Sequence, residues 1–163
     1  MSALATSASV QRVAAALAAH GLTERIQELA ATARTAEDAA RALAVPTGAI
    51  VKSLVFLVGT QPVLALVAGD RRCDPAVLPA ALELAGPPAR CPATTVRAVT
   101  GFAIGGVAPL GHLTPLPTAL DPSLARFERL YAAAGHPHCV FATTPTELAT
   151  LTGGRLVPGL GID

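Results

Sequence analysis

Apolar and polar positions alternate along this chain in two rhythms, and the switches between them mark out the elements. Val10, Val13, Ala14 and Leu17 recur at helical spacing, predicting a helix over 10–19 with Gly21 as its C-cap. A second helix starts at Thr35, an N-cap with Glu37 and Asp38 in its first turn, and ends before Pro46. The rhythm then changes. Residues 50–58 are a run of β-formers, and 63–67 answer them across Gly59-Thr60-Gln61-Pro62, which predicts a hairpin. Asp74 caps a predicted helix over 75–85 that carries Pro75 at its first position, and 94–99 predicts another short helix. Two more strands are expected at 129–134 and 139–142, around Gly135. Thr144-Pro145-Thr146-Glu147 is a capping box that opens a last short helix closed by Gly153.

Helices and strands are interspersed and at least one strand pair is antiparallel. The expected fold is therefore α+β: a single domain over 1–163, with a mixed, largely antiparallel or barrel-like sheet surrounded by helices. The chain has 163 residues, of which 52% are hydrophobic and 14% charged, which excludes disorder for the bulk of it. With no Trp, four Phe and one Tyr, the core must be aliphatic. Glycines and prolines interrupt the long uncharged stretches, at 59–62 and repeatedly between 101 and 117, so no membrane-spanning helix is expected. The Ala-rich N-terminus lacks a basic leader region and contains Arg12, so no secretory signal is read there and a cytoplasmic location is expected. A net charge of +1 argues against a protein that grips nucleic acid mainly by counterion release.

Lysine usage sharpens the search for chemistry. Eleven of the twelve basic residues are Arg; the single lysine, Lys52, lies within the predicted strand 50–58. Its neighbours on both faces are largely apolar. An ammonium there must reach water, pair with a buried acid or line a cavity. The second feature is the glycine-rich stretch Thr100-Gly101-Phe102-Ala103-Ile104-Gly105-Gly106-Val107-Ala108-Pro109-Leu110-Gly111-His112. Such a loop lets backbone approach a ligand and aims N–H groups at developing negative charge, but it is neither a Walker loop nor a dinucleotide fingerprint. Weaker candidates are Arg71-Arg72 beside a strand end, Asp121 before Pro122, and His112 as a general base. Cys73, Cys91 and Cys139 are odd in number and lack paired spacing, which reads as reduced thiols. His136-Pro137-His138-Cys139 could begin a zinc site or form a turn leading into a strand. No Ser-His-Asp order appears.

Together, the segment from Ala49 to Phe56 around Lys52 and the loop from Thr100 to His112 resemble the YbaK/EbsC family. These are trans-editing aminoacyl-tRNA deacylases related to the editing domain of prolyl-tRNA synthetase. The resemblance runs from about 35 to 154 and includes Asp121-Pro122-Ser123-Leu124 and the strand at 131–135. It implies hydrolysis of the ester that joins a wrong, small amino acid (Ala, Ser, Thr or Cys) to the 3′ end of a tRNA, usually tRNA(Pro). Catalysis is implied for Lys52, Gly105 and Gly106, and substrate binding for Gly101, Phe102, Pro109, Gly111, His112 and Asp121. No metal or organic cofactor is implied. The expected partners are a tRNA 3′ end and prolyl-tRNA synthetase. Ala132-Ala133-Ala134 stands where the cysteine-specific branch has a serine, and residues 30–34 lack that branch's aromatics. A non-catalytic module of the same fold, binding a tRNA end or a synthetase, is the alternative.

Overall fold

The computed structural model describes residues 7–30, 33 and 35–163. The first six residues of the Ala-rich stretch, and positions 31, 32 and 34 of the segment without aromatics, lie outside them.

Four of the five expected helices form with modest changes of boundary. Helix α1 (Ala8–Ala18) is capped by Ser7 and buries Val10, Val13 and Leu17. Gly21, at φ +75°, closes it: Gly21 N–H donates to Ala18 O (2.9 Å) and Leu22 N–H to Leu17 O (3.0 Å), a Schellman pattern. Helix α2 (Ala36–Leu43) starts from Thr35, whose hydroxyl accepts from Asp38 N–H. The helix expected over 75–85 is a 3₁₀ turn (Pro75–Val77) running into a single α-turn, α3 (Leu78–Ala81). Glu83 takes up φ +57° just beyond it and turns the chain out of helical geometry. Helix α4 (Ala93–Thr100) ends at Gly101, φ +80°, and α5 (Pro145–Thr152) ends at Gly153, φ +62°.

The sheet is mixed and curls into a half-barrel. Its path runs from β1 (Ile26–Glu28) through β8 (Cys139–Thr143), β7 (Leu130–His136), β2 (Ile50–Val58), β3 (Gln61–Ala68) and β6 (Thr118–Leu120) to β9 (Arg155–Leu156). Strand β5 (Pro88–Arg90) also pairs with β2, and β4 (Arg72–Cys73) pairs separately with β10 (Gly161–Ile162). The hairpin β2–β3 is regular over eight residue pairs, from Val51↔Ala68 to Val58↔Gln61. Gly135 does not separate β7 from β8 as expected; it lies inside β7 at φ +95°, where the register slips between Ala133 and His136. A Cβ there would sit 2.8 Å from Ser9 O, so glycine is what lets the start of α1 rest on β7.

The hairpin divides the core. Leu64, Leu66 and Ala68 of β3, with Val51 of β2, face the larger cluster, which holds α1, Val96, Phe102 and Phe141. Val63, Ala65 and Val67 face a smaller one with Leu78, Val157 and Leu160. Tyr131 packs with Ile50 against α2 in a third.

Two polar ties hold these parts in place. Asp121, 2% exposed, accepts through Oδ2 from Ala68 N–H (3.0 Å) and Ser123 Oγ–H (2.8 Å), and through Oδ1 from Ser123 N–H (2.9 Å). It thereby pins the end of β3 to the turn after β6. Arg25, just before β1, reaches both Glu147 oxygens at 3.0 and 3.2 Å, joining β1 to α5. This pairing holds the Glu147 carboxyl below the usual glutamate range, partly opposed by burial and helped by Thr143 Oγ1.

Asp121→Asn supplies one acceptor oxygen where the native site has two, each already receiving a main-chain N–H. One donor must lose its partner, so urea denaturation should show a loss of about 1–3 kcal/mol. For Glu147, a lowered folded pKa means stability that is present above the ordinary glutamate range, near ~4.3, and is lost as pH falls through the folded value. Glu147→Gln should therefore lower Tm at pH 7, by the equivalent of under about 1 kcal/mol because the pair is partly exposed. The gap from wild type should close when melting is repeated below that range.

Candidate active site

Strand β2 is covered on one edge by β3 along its whole length and on the other by two strands that do not meet. Strand β7 runs parallel to its start and pairs only with Ile50 and Val51. Strand β5 runs antiparallel to its end and pairs only with Phe56, Leu57 and Val58. Residues 52–55 have no registered partner on that side. Two cavities of about 450 and 410 Å³ occupy this gap, and both are lined by Lys52, Ser53, Leu54, Ile104, Gly105 and Val107. They are lobes of one cleft between the open edge of β2 and the glycine-rich loop.

The lobes differ in chemistry. The first reaches α2 and β7 and is walled by small and aliphatic side chains, among them Ala36, Ala39, Ala132 and Ala133, with Tyr131 and Glu37. The second reaches β4, β5 and α4 and carries Arg72, Arg90, Cys73 and Cys91.

Lys52 lines both lobes, and its Nζ donates to the main-chain carbonyl of Arg71. Of the three fates open to a lysine in this strand, it lines a cavity and is tied to a carbonyl. No ion pair joins it to an acid among the described residues. Asp121, a buried acid, spends its oxygens on Ala68 and Ser123.

The glycine-rich loop is held from below by a residue the sequence reading passed over. Arg12 is the one charged residue in α1; its Nη2–H donates to Gly101 O (2.7 Å) and its Nε–H to Gly111 O (3.4 Å). Its guanidinium lies 4.9 Å from the centre of the Phe102 ring, which meets His112 edge-on at 5.9 Å. The uneven charge of α1 was the available signal, because a lone Arg in an apolar helix needs acceptors. Gly101, Phe102, Gly111 and His112 thus form the footing of the loop and do not line the cleft. Pro109 is buried, and Asp121 lies beneath β3. Burial holds His112 below the ordinary histidine value even though its Nε2 bonds to Ala108 O (2.7 Å).

Of the glycine pair, Gly105 lines the cleft at φ +95° and its N–H has no partner among the described residues. Gly106 N–H already donates to Ala103 O at 3.0 Å. A Cβ on Gly106 would lie 3.0 Å from His136 Cα, so its role is to let the loop lie against the end of β7.

The cysteines of the cleft are poor nucleophiles. Burial, reinforced by Asp74 and Asp121 and opposed by Lys52, pushes the Cys73 thiol up to about 11, and burial raises Cys91 as well. At His136–Cys139, His136 Nδ1 accepts from His138 N–H (3.0 Å) while Cys139 is 1% exposed in the main core. No cluster of three potential metal ligands occurs among the described residues. Nor is any described helix long and apolar enough to cross a membrane.

Comparison with known proteins agrees with this architecture. The Uncharacterized protein YwhH of Bacillus subtilis (strain 168) is 33% identical over 133 residues, 80% of this chain and 83% of its own length. A crystal structure described as that of a proposed trans-editing enzyme for prolyl-tRNA synthetase superposes with a TM-score of 0.87 at 40% identity, covering 96% of this chain and 98% of that one. A hypothetical protein of known structure matches at 25% identity and a TM-score of 0.82, over 92% of this chain and 99% of its own. Residues 30–151, which carry both the lysine strand and the loop, match the model of the aminoacyl-tRNA editing domain, and the chain belongs to that family.

Proposed function

We propose that this protein is a trans-editing deacylase that hydrolyses the ester between a small, wrongly attached amino acid and the 3′-terminal adenosine of a tRNA, with tRNA(Pro) as the carrier. The observation that carries this reading is the meeting of Lys52 and Gly105 across one cleft. Family membership and the likeness to the proposed trans-editing enzyme support it. The alanine-rich wall of the first lobe suits a short side chain such as that of Ala, Ser, Thr or Cys. The two arginines of the second lobe suit the phosphates of the tRNA end.

In this reading Lys52 anchors the substrate. An ammonium has three N–H donors; one is spent on Arg71 O, and the others are available to an ester or phosphate oxygen. Gly105 N–H donates to the carbonyl oxygen as it gains charge. Because Gly106 N–H is engaged within the loop, the donor role rests on Gly105, with Gly106 setting its position. The footing residues Gly101, Phe102, Pro109, Gly111 and His112, and Asp121 under β3, hold the walls of the cleft in register. With both cleft thiols held protonated, water is the nucleophile. It adds to the ester carbonyl carbon, the bond to the ribose oxygen breaks, that oxygen takes a proton, and the free amino acid leaves. No step calls for a metal or organic cofactor. Prolyl-tRNA synthetase is the expected source of the mischarged tRNA.

A panel of mischarged tRNAs tests the proposal. Wild type should accelerate deacylation of at least one, and Lys52→Ala should cut kcat/KM on that substrate by roughly 100-fold while keeping a native circular dichroism spectrum. Normal turnover by Lys52→Ala on every substrate would remove the lysine from the mechanism. Binding of tRNA by wild type without accelerated hydrolysis would turn the protein into a binding module.

A further inference from the structure

The gap in the outer edge of β2 leaves main-chain groups as well as side chains in the cleft, and their phase can be worked out. Gly69 N–H donates to Ile50 O (2.7 Å), so Ile50 and the residues two, four and six beyond it point their main-chain groups toward β3. The other side of β3 agrees: Leu64 N–H donates to Pro117 O and Leu66 O accepts from Asp121 N–H, both at 2.9 Å. Lys52 and Leu54 are therefore occupied by Val67 and Ala65, and Ser53 turns its N–H and C=O to the opposite edge. Neither β7 nor β5 has a residue in register there. Ser53 Oγ is, in addition, a buried side-chain oxygen without a hydrogen-bond partner among the described residues. Buried polar groups are almost always paired, so a residue with this many open valences in a cleft calls for a ligand.

The slot limits what that ligand is. Strand β7 closes it at Val51 and β5 closes it at Phe56. The four residues between span about 13 Å, too short for an added polypeptide strand. Charge narrows it further. Glu37, in the first turn of α2, is the one acidic residue lining either lobe, and it makes no ion pair among the described residues. Glu37 and Ser53 line the same lobe. One exposed carboxylate and one main-chain carbonyl lining the same lobe are too few ligands for a divalent metal, but as two acceptors they match a primary ammonium, which has N–H donors and no acceptor.

We infer that the first lobe reads the α-ammonium group of the aminoacyl ester, through the Glu37 carboxylate and the Ser53 main-chain carbonyl. This rests on the deacylase reading for the identity of the ligand and adds to it how the amino acid is recognised. Recognition falls on the group every amino acid shares, and the small-residue wall of the lobe is left to sort side chains by size. Esters whose amine is blocked are rejected, because an amide nitrogen has lost its charge and offers a single N–H to two acceptors.

The test separates binding from hydrolysis. Two non-hydrolysable probes are titrated calorimetrically: adenosine carrying alanine through a 3′-amide link, with its α-amine free, and the same compound with that amine acetylated. Wild type should bind the free amine at least about tenfold tighter, the scale of one charge-assisted hydrogen bond. Glu37→Gln should reduce this preference to within about twofold while leaving affinity for the acetylated probe unchanged, and Glu37→Asp should restore part of it. Equal binding of both probes by wild type, no binding of either, an undiminished preference in Glu37→Gln, or an equal loss for both probes in that variant would each overturn the inference. A retained preference without hydrolysis of any mischarged tRNA would sink the deacylase reading and leave this one standing. Hydrolysis without a preference would do the reverse.

Discussion

A strand has two edges, and main-chain groups on each must find partners or stay solvated. Strand β2 satisfies one edge fully against β3 and shares the other between β7 and β5, which approach from opposite ends and stop short of each other. Everything that makes this molecule more than a packed half-barrel follows from that shortfall. The gap is where the cleft forms, where Lys52 and Ser53 become accessible to a ligand, and where the glycine-rich loop must come down to supply the facing wall. The backbone is open here because β7 pairs with β2 only at Ile50 and Val51, and β5 is three residues long.

Ties outside the cleft keep the gap at a fixed width. Asp121 locks the end of β3 to the segment after β6, on the far side of the hairpin. Arg12 clamps both ends of the loop to α1, and Gly135 lets α1 sit close enough to β7 to do so. The close approach of Gly106 to His136 then sets how near the loop lies to the end of β7. Several residues of the recognisable loop pattern therefore sit a layer away from the cleft, a division of labour that motif spacing alone does not reveal.

The long elements were legible because their signals are long. The β2–β3 hairpin, α1, α2 and α5 each carry enough periodic positions, or a cap clear enough, to announce themselves. Strands of two or three residues, such as β5, β6 and β9, are too short to show more than a single alternation of the strand pattern, and their partners lie far away in sequence. The gap in β2 is invisible in the sequence for that reason: it is made by the ends of distant strands. Lys52 stood out through composition and apolar neighbours. Glu37 did not, because an acidic residue in a first helical turn is already explained by the helix dipole. Arg12 was read as an interruption of an apolar stretch, and its acceptors, Gly101 O and Gly111 O, are about ninety to a hundred residues away.

The scarcity of lysine takes on a practical meaning once Lys52 is placed. Side-chain primary amines are ordinarily scattered over a protein surface, so a reagent that acylates them reports on the whole exterior. In this chain the only such amine stands in the cleft. Amine-directed chemistry on the side chains is therefore addressed to the site by composition alone, and eleven arginines carry the rest of the positive charge in a form such reagents ignore.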